Sequence, residues 1–322
     1  MDEMKVENFR EERGVKKFSF LKVGYTPTSS IELPIVVVNG SRRGPTLGLT
    51  AGIHGCEYSG IDAVIRVVNE IDPKNLSGRI IAVPVVNIPA FQDRVPYVCP
   101  IDGINLNRIF PGNSDGSISY RIAHVLFSNV ISKSDFLIDL HGADLPEELP
   151  SQGLVILQNI GNEKIDQMSE NLANLFDVEY ILMNKIEGSC IREACKRGIP
   201  AIAPETDGAG KIEEKAVLFY LDGILNVMKY LKMIEGSPKK TRAKKKIVDL
   251  HMIRAELGGL FYPKFKAGDI VSEEDVIGEI KNLKGNVVEQ IKASISGVIL
   301  VRMTYVTVNS GDIVMVLGKL KT

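Results

Sequence analysis

The chain has 322 residues, of which 44% are hydrophobic, enough for one large core and a smaller one, so the length favours about two domains. Its 39 Lys and Arg residues balance 40 Asp and Glu residues without forming a basic stripe, which makes nucleic acid a poor candidate partner. The charged amino terminus lacks the apolar run of a secretory signal, and no stretch approaches the roughly 18 to 20 apolar residues of a membrane span. The sequence therefore predicts a cytoplasmic protein without membrane association.

The first predicted elements are two strands, Lys17–Gly24 and Ile31–Val38, which are joined by turn-prone residues and are expected at a sheet edge. Short apolar runs then alternate with helical patterns. The further predicted strands are 46–51, 80–86, 136–140, 154–157 and 201–203, and the predicted helices are 58–71, 120–132, 165–176, 191–197 and 213–233. This alternation predicts an α/β architecture whose largely parallel sheet is covered on both faces.

A run of cations at residues 237–246 interrupts this alternation and predicts a solvated basic linker rather than a nucleic-acid arm. The linker divides the chain into a first domain, residues 1–236, and a second, residues 247–322. Short strands punctuated by glycines predict that the second domain is a compact β domain. Its motif Ala267–Val271 returns as Ser310–Val314, and such paired half-units resemble the barrel-sandwich hybrid of lipoyl and biotinyl domains.

The first candidate ligands are His54 and Glu57, which directly follow a predicted buried strand and precede an amphipathic helix. This position places both side chains at the carboxyl end of the sheet, where open α/β sheets bind their ligands. Imidazole nitrogen and carboxylate oxygen are suitable zinc ligands, and Gly52 and Gly55 allow the tight turn that brings the two together. The motif alone is weak, and a hydrogen-bonded loop pair is the alternative.

A second histidine, His141, ends the buried strand Phe136–Leu140 in the same way. Two histidines and one glutamate leave a fourth tetrahedral position open for water, which is typical of catalytic rather than structural zinc. Asp139 shares the strand face of His141, so it either orients that imidazole or is an ordinary buried carboxylate.

Two further candidate sites are Glu205 and the pair Asn107 and Arg108. Glu205 ends a third apolar run, where an unpaired charge is energetically unfavourable. We therefore predict that it is the general base. Asn107 and Arg108 lie between the first and third proposed ligands and together offer a planar, charge-assisted grip on a carboxylate. An ordinary surface arginine is the alternative for Arg108.

Together these segments resemble the succinylglutamate desuccinylase and aspartoacylase family, a deacylase branch of the zinc carboxypeptidases. The resemblance rests on four segments in the order of the family: His54–Glu57, Asn105–Gly112, Asp139–Gly142 and Gly198–Glu205. It implies a three-layer αβα zinc-carboxypeptidase-like domain with a mostly parallel mixed sheet, followed by a small all-β domain.

The resemblance also implies roles for particular residues. It implies one Zn²⁺ per chain held by His54, Glu57 and His141, with a base at Glu205 and a substrate carboxylate at Asn107 and Arg108. It further implies an arginine that stabilises the oxyanion. Related sequences often place it three residues before the proline of Pro100–Gly103, where this chain has Tyr97, and Arg94 is the nearest substitute.

The reaction implied is attack of zinc-bound water on the amide of a small N-acyl amino acid, with Glu205 taking the proton. The partner is thus a small molecule that carries a carboxylate, and the sequence leaves a homo-oligomer open. A metallocarboxypeptidase that trims short peptides is the alternative enzyme. A carrier module modified at Lys284 is the alternative from another class, although Lys284 lacks the usual neighbours of such a lysine.

Overall fold

The strands form two sheets in the structure, a computed structural model that describes residues 12–206 and 208–321. The strands are β1 (Val15–Tyr25), β2 (Ser30–Asn39), β3 (Arg42–Ala51), β4 (Ser77–Val83), β5 (Phe136–Leu140), β6 (Glu147–Glu148), β7 (Leu154–Gln158), β8 (Tyr180–Asn184), β9 (Ala201–Glu205), β10 (Lys245–Arg254), β11 (Gly259–Pro263), β12 (Ile270–Val271), β13 (Val276–Lys281), β14 (Val287–Lys292), β15 (Gly297–Met303), β16 (Thr307–Val308) and β17 (Ile313–Leu320).

The helices alternate with the strands of the first two thirds of the chain. They are α1 (Tyr58–Glu70), α2 (Ile88–Asp93), α3 (Ile118–Asn129), α4 (Glu163–Ala173), α5 (Cys190–Lys196) and α6 (Glu214–Tyr230). All the strands and helices predicted for this part are present, with ends that differ by no more than four residues. Within the described residues, none of these helices has the length and apolar character needed to cross a membrane.

Three of the labelled elements of this part were not predicted: α2, β6 and β8. Helix α2 has six residues and depends on a local cap, in which the Asn87 side chain accepts a hydrogen bond from the Ala90 N–H at 3.2 Å. Strand β8 has five residues and follows the α4 helical pattern without a strong turn signal. Helix α2 and strand β6 are too short to show a helical or strand period, and no clear turn residues mark the start of β8.

The large sheet has the strand order β1-β2-β4-β3-β5-β9-β7-β8-β10-β17-β15-β12, and β6 pairs with β15. Strand β1 lies at the edge and pairs with β2 in antiparallel fashion, as predicted. Strands β3, β5 and β9 are parallel neighbours near the middle of the sheet. Their carboxyl ends therefore meet at one edge, which is where ligand sites form in open α/β sheets.

Helices cover both faces of this sheet, which gives the three layers that were predicted. Helices α1 and α6 pack together on one face, where Val64 and Ile224 belong to the same buried cluster. Helices α3 and α5 lie over the other face, where Ile122 and Ile191 are fully or almost fully buried. The mixed α/β class predicted from the sequence is confirmed.

The carboxyl-terminal strands form a β unit with its own core. Strands β14, β13, β11 and β16 make a separate antiparallel sheet, which packs through Phe261, Ile277 and Val308 against the last strands of the large sheet. The small antiparallel sheet confirms the predicted β fold of this region. Lys284 lies in the turn between β13 and β14.

The predicted linker, residues 237–246, lies against the first part of the chain. The guanidinium of Arg242 contacts the Asp177 carboxylate at 3.1 and 2.9 Å. Strand β10 begins at Lys245 inside the linker and pairs in parallel with β8, so hydrogen bonding continues from one predicted domain to the other. The division at residues 236 and 247 stays a prediction.

Close packing of α6 against Phe176 predicts an unusual response to a helical substitution. A Gly→Ala change within a helix normally stabilises that helix by about 1 kcal/mol. At position 223, however, an added Cβ would lie 2.1 Å from Cε1 of the buried Phe176 ring. We expect the free energy of unfolding in urea to fall by about 1–3 kcal/mol because the core becomes overpacked. Asp222→Ala, at the exposed neighbouring position, is the control; an equal loss there would contradict the packing explanation.

Candidate metal centre and active site

His54 and Glu57 lie in the tight connection between β3 and α1. The turn needs glycine at two positions: Gly52 has a φ of +66°, and a Cβ on Gly55 would lie 2.3 Å from the Phe91 nitrogen. Glu57 occupies the residue before α1 without capping the helix through its side chain. Its carboxylate is thereby available to face His54, whose Nδ1 lies 2.8 Å from Glu57 Oε1.

His141 completes the cluster from the carboxyl end of the neighbouring strand β5. Its Nδ1 lies 3.0 Å from Oε2 of Glu57, and the two imidazole rings have a centroid separation of 5.1 Å. One ligand atom from each of His54, Glu57 and His141 can be chosen so that all lie within 4.8 Å of one another. The structure thus brings together the three residues predicted as metal ligands.

The donors of this cluster fit a divalent metal ion. Both histidines present Nδ1 to the two oxygens of one carboxylate, and imidazole with carboxylate is a donor set that zinc prefers. Glu57 Oε2 is buried and has no partner in hydrogen-bonding geometry among the described residues. Burial favours the neutral form of Glu57, but the neighbouring His54 and His141 outweigh it and lower its pKa to about 2. An ionised carboxylate is the form that binds a metal.

Asp139 holds the imidazole of His141 from behind. Its Oδ2 lies 2.9 Å from His141 Nε2, and its Oδ1 accepts a hydrogen bond from the Thr50 hydroxyl at 2.6 Å. The Tyr220 hydroxyl donates to the His141 carbonyl oxygen. A carboxylate on the ring nitrogen away from the cluster fixes the tautomer that leaves Nδ1 free to bind a metal.

Glu205 is the last residue of β9, which is the next strand after β5 in the sheet. Burial raises its pKa to about 7, with the Glu57 and Glu147 carboxylates adding to the rise and His141 opposing it. No hydrogen bond or ion pair joins its side chain to another described residue. The pKa of Glu205 is therefore suited to proton transfer near neutral pH, and no hydrogen bond or ion pair with a described residue holds its carboxylate.

Asn107 and Arg108 lie in a short 3₁₀ helix beside the cluster. The Asn107 side chain lies 3.5 Å from His141 Nε2 and accepts a hydrogen bond from the Cys190 N–H at 2.8 Å. Arg108 is exposed, donates to the Asn107 carbonyl oxygen at 2.7 Å and interacts electrostatically with Glu205. Arg108 thus has a cationic head open to a ligand, whereas much of the Asn107 side chain already has protein partners.

Arg94 and Tyr97 lie on the loop after α2, both with positive φ, at 57° and 61°. Arg94 is exposed and interacts electrostatically with Cys56 and Tyr58, next to the start of α1. Tyr97 lies beside the cluster, since its ring centroid is 6.2 Å from that of His54.

Two carboxylates near the cluster, Asp144 and Glu147, were not predicted. Asp144 is fully buried and accepts a hydrogen bond from the Tyr97 N–H at 2.8 Å, and the Glu147 carboxylate interacts electrostatically with the Tyr97 side chain. Both carboxylates interact electrostatically with Glu57. The signal that could have revealed them is their position directly after the His141 strand end, because that connection has to cross the same edge of the sheet.

A family model described as the succinylglutamate desuccinylase/aspartoacylase catalytic domain matches residues 43–231. That match spans more than half of the sequence, and the chain belongs to this family. The resemblance inferred from the four short segments is therefore confirmed.

Individual relatives and solved structures match almost the whole chain. N-alpha-acetyl-L-2,4-diaminobutyric acid deacetylase of Halomonas elongata is 27% identical over 300 residues, which are 90% of this chain and 86% of the relative. The succinylglutamate desuccinylase/aspartoacylase structure from Rhodobacter sphaeroides is 24% identical, with a TM-score of 0.87 over 97% of this chain and 98% of the other. The product-bound ectoine utilization protein EutE of Ruegeria pomeroyi is also 24% identical, with a TM-score of 0.87 over 95% and 96%.

The contact between Asp139 and His141 predicts a graded loss of metal. His54→Ala, Glu57→Ala or His141→Ala should each empty the site, because two protein donors are too few for stable zinc binding. Asp139→Asn should keep the three donors and weaken zinc binding by about tenfold to a hundredfold. Competition with a chelator, followed by metal analysis, measures both effects.

Asp135→Asn, just before β5, is the matched control, because the Asp135 carboxylate accepts a hydrogen bond from the Thr46 N–H far from the cluster. Its zinc affinity should equal that of the parent. Full zinc occupancy in the His141→Ala protein would remove this residue from the site.

Proposed function

We propose that the protein is a zinc-dependent hydrolase that cleaves the amide bond of small N-acyl amino acids. The observation that carries this proposal is the meeting of His54, Glu57 and His141 with Glu205 at the ends of three adjacent parallel strands. A metal-binding set with an unpartnered carboxylate beside it is the arrangement that metal-assisted hydrolysis requires.

His54, Glu57 and His141 would hold the ion. A bound Zn²⁺ would supply a Lewis acid that makes water nucleophilic near neutral pH and polarises the scissile carbonyl. Asp139 keeps the His141 ring in the orientation that this binding needs, and the buried surroundings strengthen each electrostatic contact within the site.

Glu205 moves the proton in the proposed reaction. Its carboxylate accepts a proton from the attacking water as the carbon–oxygen bond forms, and it gives that proton to the nitrogen as the carbon–nitrogen bond breaks. The products are a carboxylic acid and a free amine, and the base returns to its starting state. A pKa of about 7 suits both halves of this transfer.

Arg108 would hold the substrate carboxylate through charge-assisted hydrogen bonds, while Asn107 positions the segment against His141. Arg94 is the proposed donor to the oxygen of the tetrahedral intermediate, from a loop next to the start of α1. The name of the Halomonas elongata relative, a deacetylase of an acetylated amino acid, supports a substrate of this kind.

A metallocarboxypeptidase acting on short peptides uses the same chemical groups and remains the alternative enzyme. Hydrolysis rates on N-acetyl amino acids and on dipeptides separate the two. The carrier role proposed for Lys284 has no support from the contacts of the β13–β14 turn.

Replacing the proposed base tests the mechanism most directly. Glu205→Gln keeps the shape of the side chain but cannot accept a proton, so turnover should fall by about a hundredfold to ten-thousandfold. Zinc content and thermal unfolding should stay near those of the parent. The activity of the parent should fall with decreasing pH because a protonated Glu205 is not a base, and a divalent ion nearby should place this loss below pH 7.

Glu213→Gln, an exposed change of the same kind just before α6, is the control and should keep full turnover. Near-normal turnover in Glu205→Gln would refute the role of the base, and loss of zinc in that variant would make Glu205 a ligand instead.

The proposed carboxylate contact of Arg108 is tested with paired substrates. Arg108→Ala should reduce kcat/KM about tenfold to a hundredfold for an N-acetyl amino acid, because charge-assisted hydrogen bonds to the free carboxylate are lost. The methyl ester of the same substrate should be affected little. Equal losses on acid and ester would mean that Arg108 does not bind this group.

A further inference from the structure

The hydroxyl of Tyr220 lies where strands β5 and β9 end. Tyr220 is part of α6, and its side chain is fully buried in the same cluster as Leu140 of β5 and Ile202 of β9. The hydroxyl donates a hydrogen bond to the His141 carbonyl oxygen, and the Thr206 backbone interacts with the hydroxyl as well. It therefore contacts the backbone of a candidate metal ligand and that of the residue directly after the proposed base.

This hydroxyl takes the place of a backbone donor in the sheet. Beyond the strand ends, the His141 N–H donates to the Pro204 carbonyl oxygen and the Ala143 N–H donates to that of Thr206, each at 3.1 Å. A regular parallel ladder in this register would also have the Thr206 N–H donate to the His141 carbonyl oxygen. These two described groups form no direct hydrogen bond, and the carbonyl accepts one from Tyr220 instead.

The sequence of β9 makes the bond from Tyr220 more important. In the same register, the residue of β9 that would donate to the Asp139 carbonyl oxygen is Pro204, which has no N–H. The last two places at which β9 would donate to β5 therefore lack a backbone bond. Among the described residues, the strand end with Glu205 is held to that with His141 by donors of β5 and by Tyr220.

Helix α6 keeps the Tyr220 side chain in a fixed place. Its ring packs against that of Phe219, with 5.1 Å between the centroids and 60° between the planes. Helix α6 also packs on α1, which begins directly after Glu57. On the other side, a Cβ on Gly142 would lie 3.4 Å from the hydroxyl oxygen, so the backbone there is close to it. A group held in this way on a rigid element can position its neighbours accurately.

We propose that Tyr220 is a positioning residue, which fixes the separation between the candidate metal cluster and the base Glu205. The inference rests on the proposed hydrolase function. Tyr220 would act through the backbone at His141 and Thr206, without touching the substrate. Proton transfer requires the base to lie within hydrogen-bonding reach of the attacking water. A misplacement of about 1 Å is enough to slow such a reaction about a hundredfold.

Tyr220→Phe removes the hydroxyl and leaves the ring in the core. We expect kcat for an N-acetyl amino acid to fall about tenfold to a hundredfold, because Glu205 is no longer held at the distance that proton transfer needs. KM should stay within about twofold, since Arg108, the proposed carboxylate contact, lies on another segment. The variant should still bind one zinc, because its three donors remain. A loss of thermal stability with unchanged kcat would mean that the role of Tyr220 is only structural.

Tyr180→Phe is the matched control. Tyr180 is also buried, with 4% of its surface exposed, and it lies on β8, the second strand beyond β9 in the sheet. Both kcat and KM should stay near those of the parent. Equal losses of kcat in the two variants would assign the effect to general loosening of the core, and Tyr220 would have no positioning role.

NMR on the metal-free protein tests the contact without any activity. The ¹³C resonance of the His141 carbonyl, read through the Gly142 amide, should shift in Tyr220→Phe and stay in place in Tyr180→Phe. An unchanged resonance in Tyr220→Phe would overturn the inference. If the parent hydrolyses no N-acyl amino acid, the proposed function fails, and this resonance still decides whether Tyr220 holds His141. A parent that hydrolyses them, beside a Tyr220→Phe variant with unchanged kcat, would overturn the inference alone.

Discussion

The buried carboxylate of Glu57 between two imidazoles is the interaction on which the candidate site depends. The charge of Glu57 is stable inside the protein only because His54 and His141 face its two oxygens, at 2.8 and 3.0 Å. These contacts in turn require that β3 and β5 run in parallel side by side, so that both strands end at the same edge. The parallel pairing of β3 and β5 is therefore what brings the three charged or polar side chains together. A shift in the register of either strand would leave the buried Glu57 carboxylate without its partners.

The β unit has a structural part in this site as well as its own core. Strand β10 extends the large sheet beyond β8, and β15 pairs with β6, which crosses the active-site edge. The connection from His141 to β7 is thus fixed at its middle by strands that lie about 150 residues later in the sequence. Long-range pairing of this kind holds the segment between β5 and β7 more firmly than a free loop of the same length would be held.

Much of the fold and the candidate metal cluster could be predicted from the sequence because their signals are local. A buried strand that ends in a polar residue is visible in the sequence at His54, at His141 and at Glu205. The position of Glu147 could not be predicted in this way. Glu147 gains its place through β6, a strand of two residues that exists only because β15 pairs with it. The pairing of β10 with β8 across the predicted linker has the same origin, since no local pattern specifies a partner strand.

Tyr97 connects the candidate metal cluster to a buried carboxylate beside it, since its ring faces His54 and its backbone contacts Asp144. Its backbone is held at a positive φ of 61°, where a non-glycine residue is uncommon, and its N–H donates to the buried Asp144. An arginine on this backbone would place a cation near Asp144 and Glu147, which would favour the ionised form of both carboxyls. With tyrosine no cation is added at this place, and burial raises the pKa of both carboxyls. The residue at position 97 thus sets the charge balance beside the candidate metal cluster.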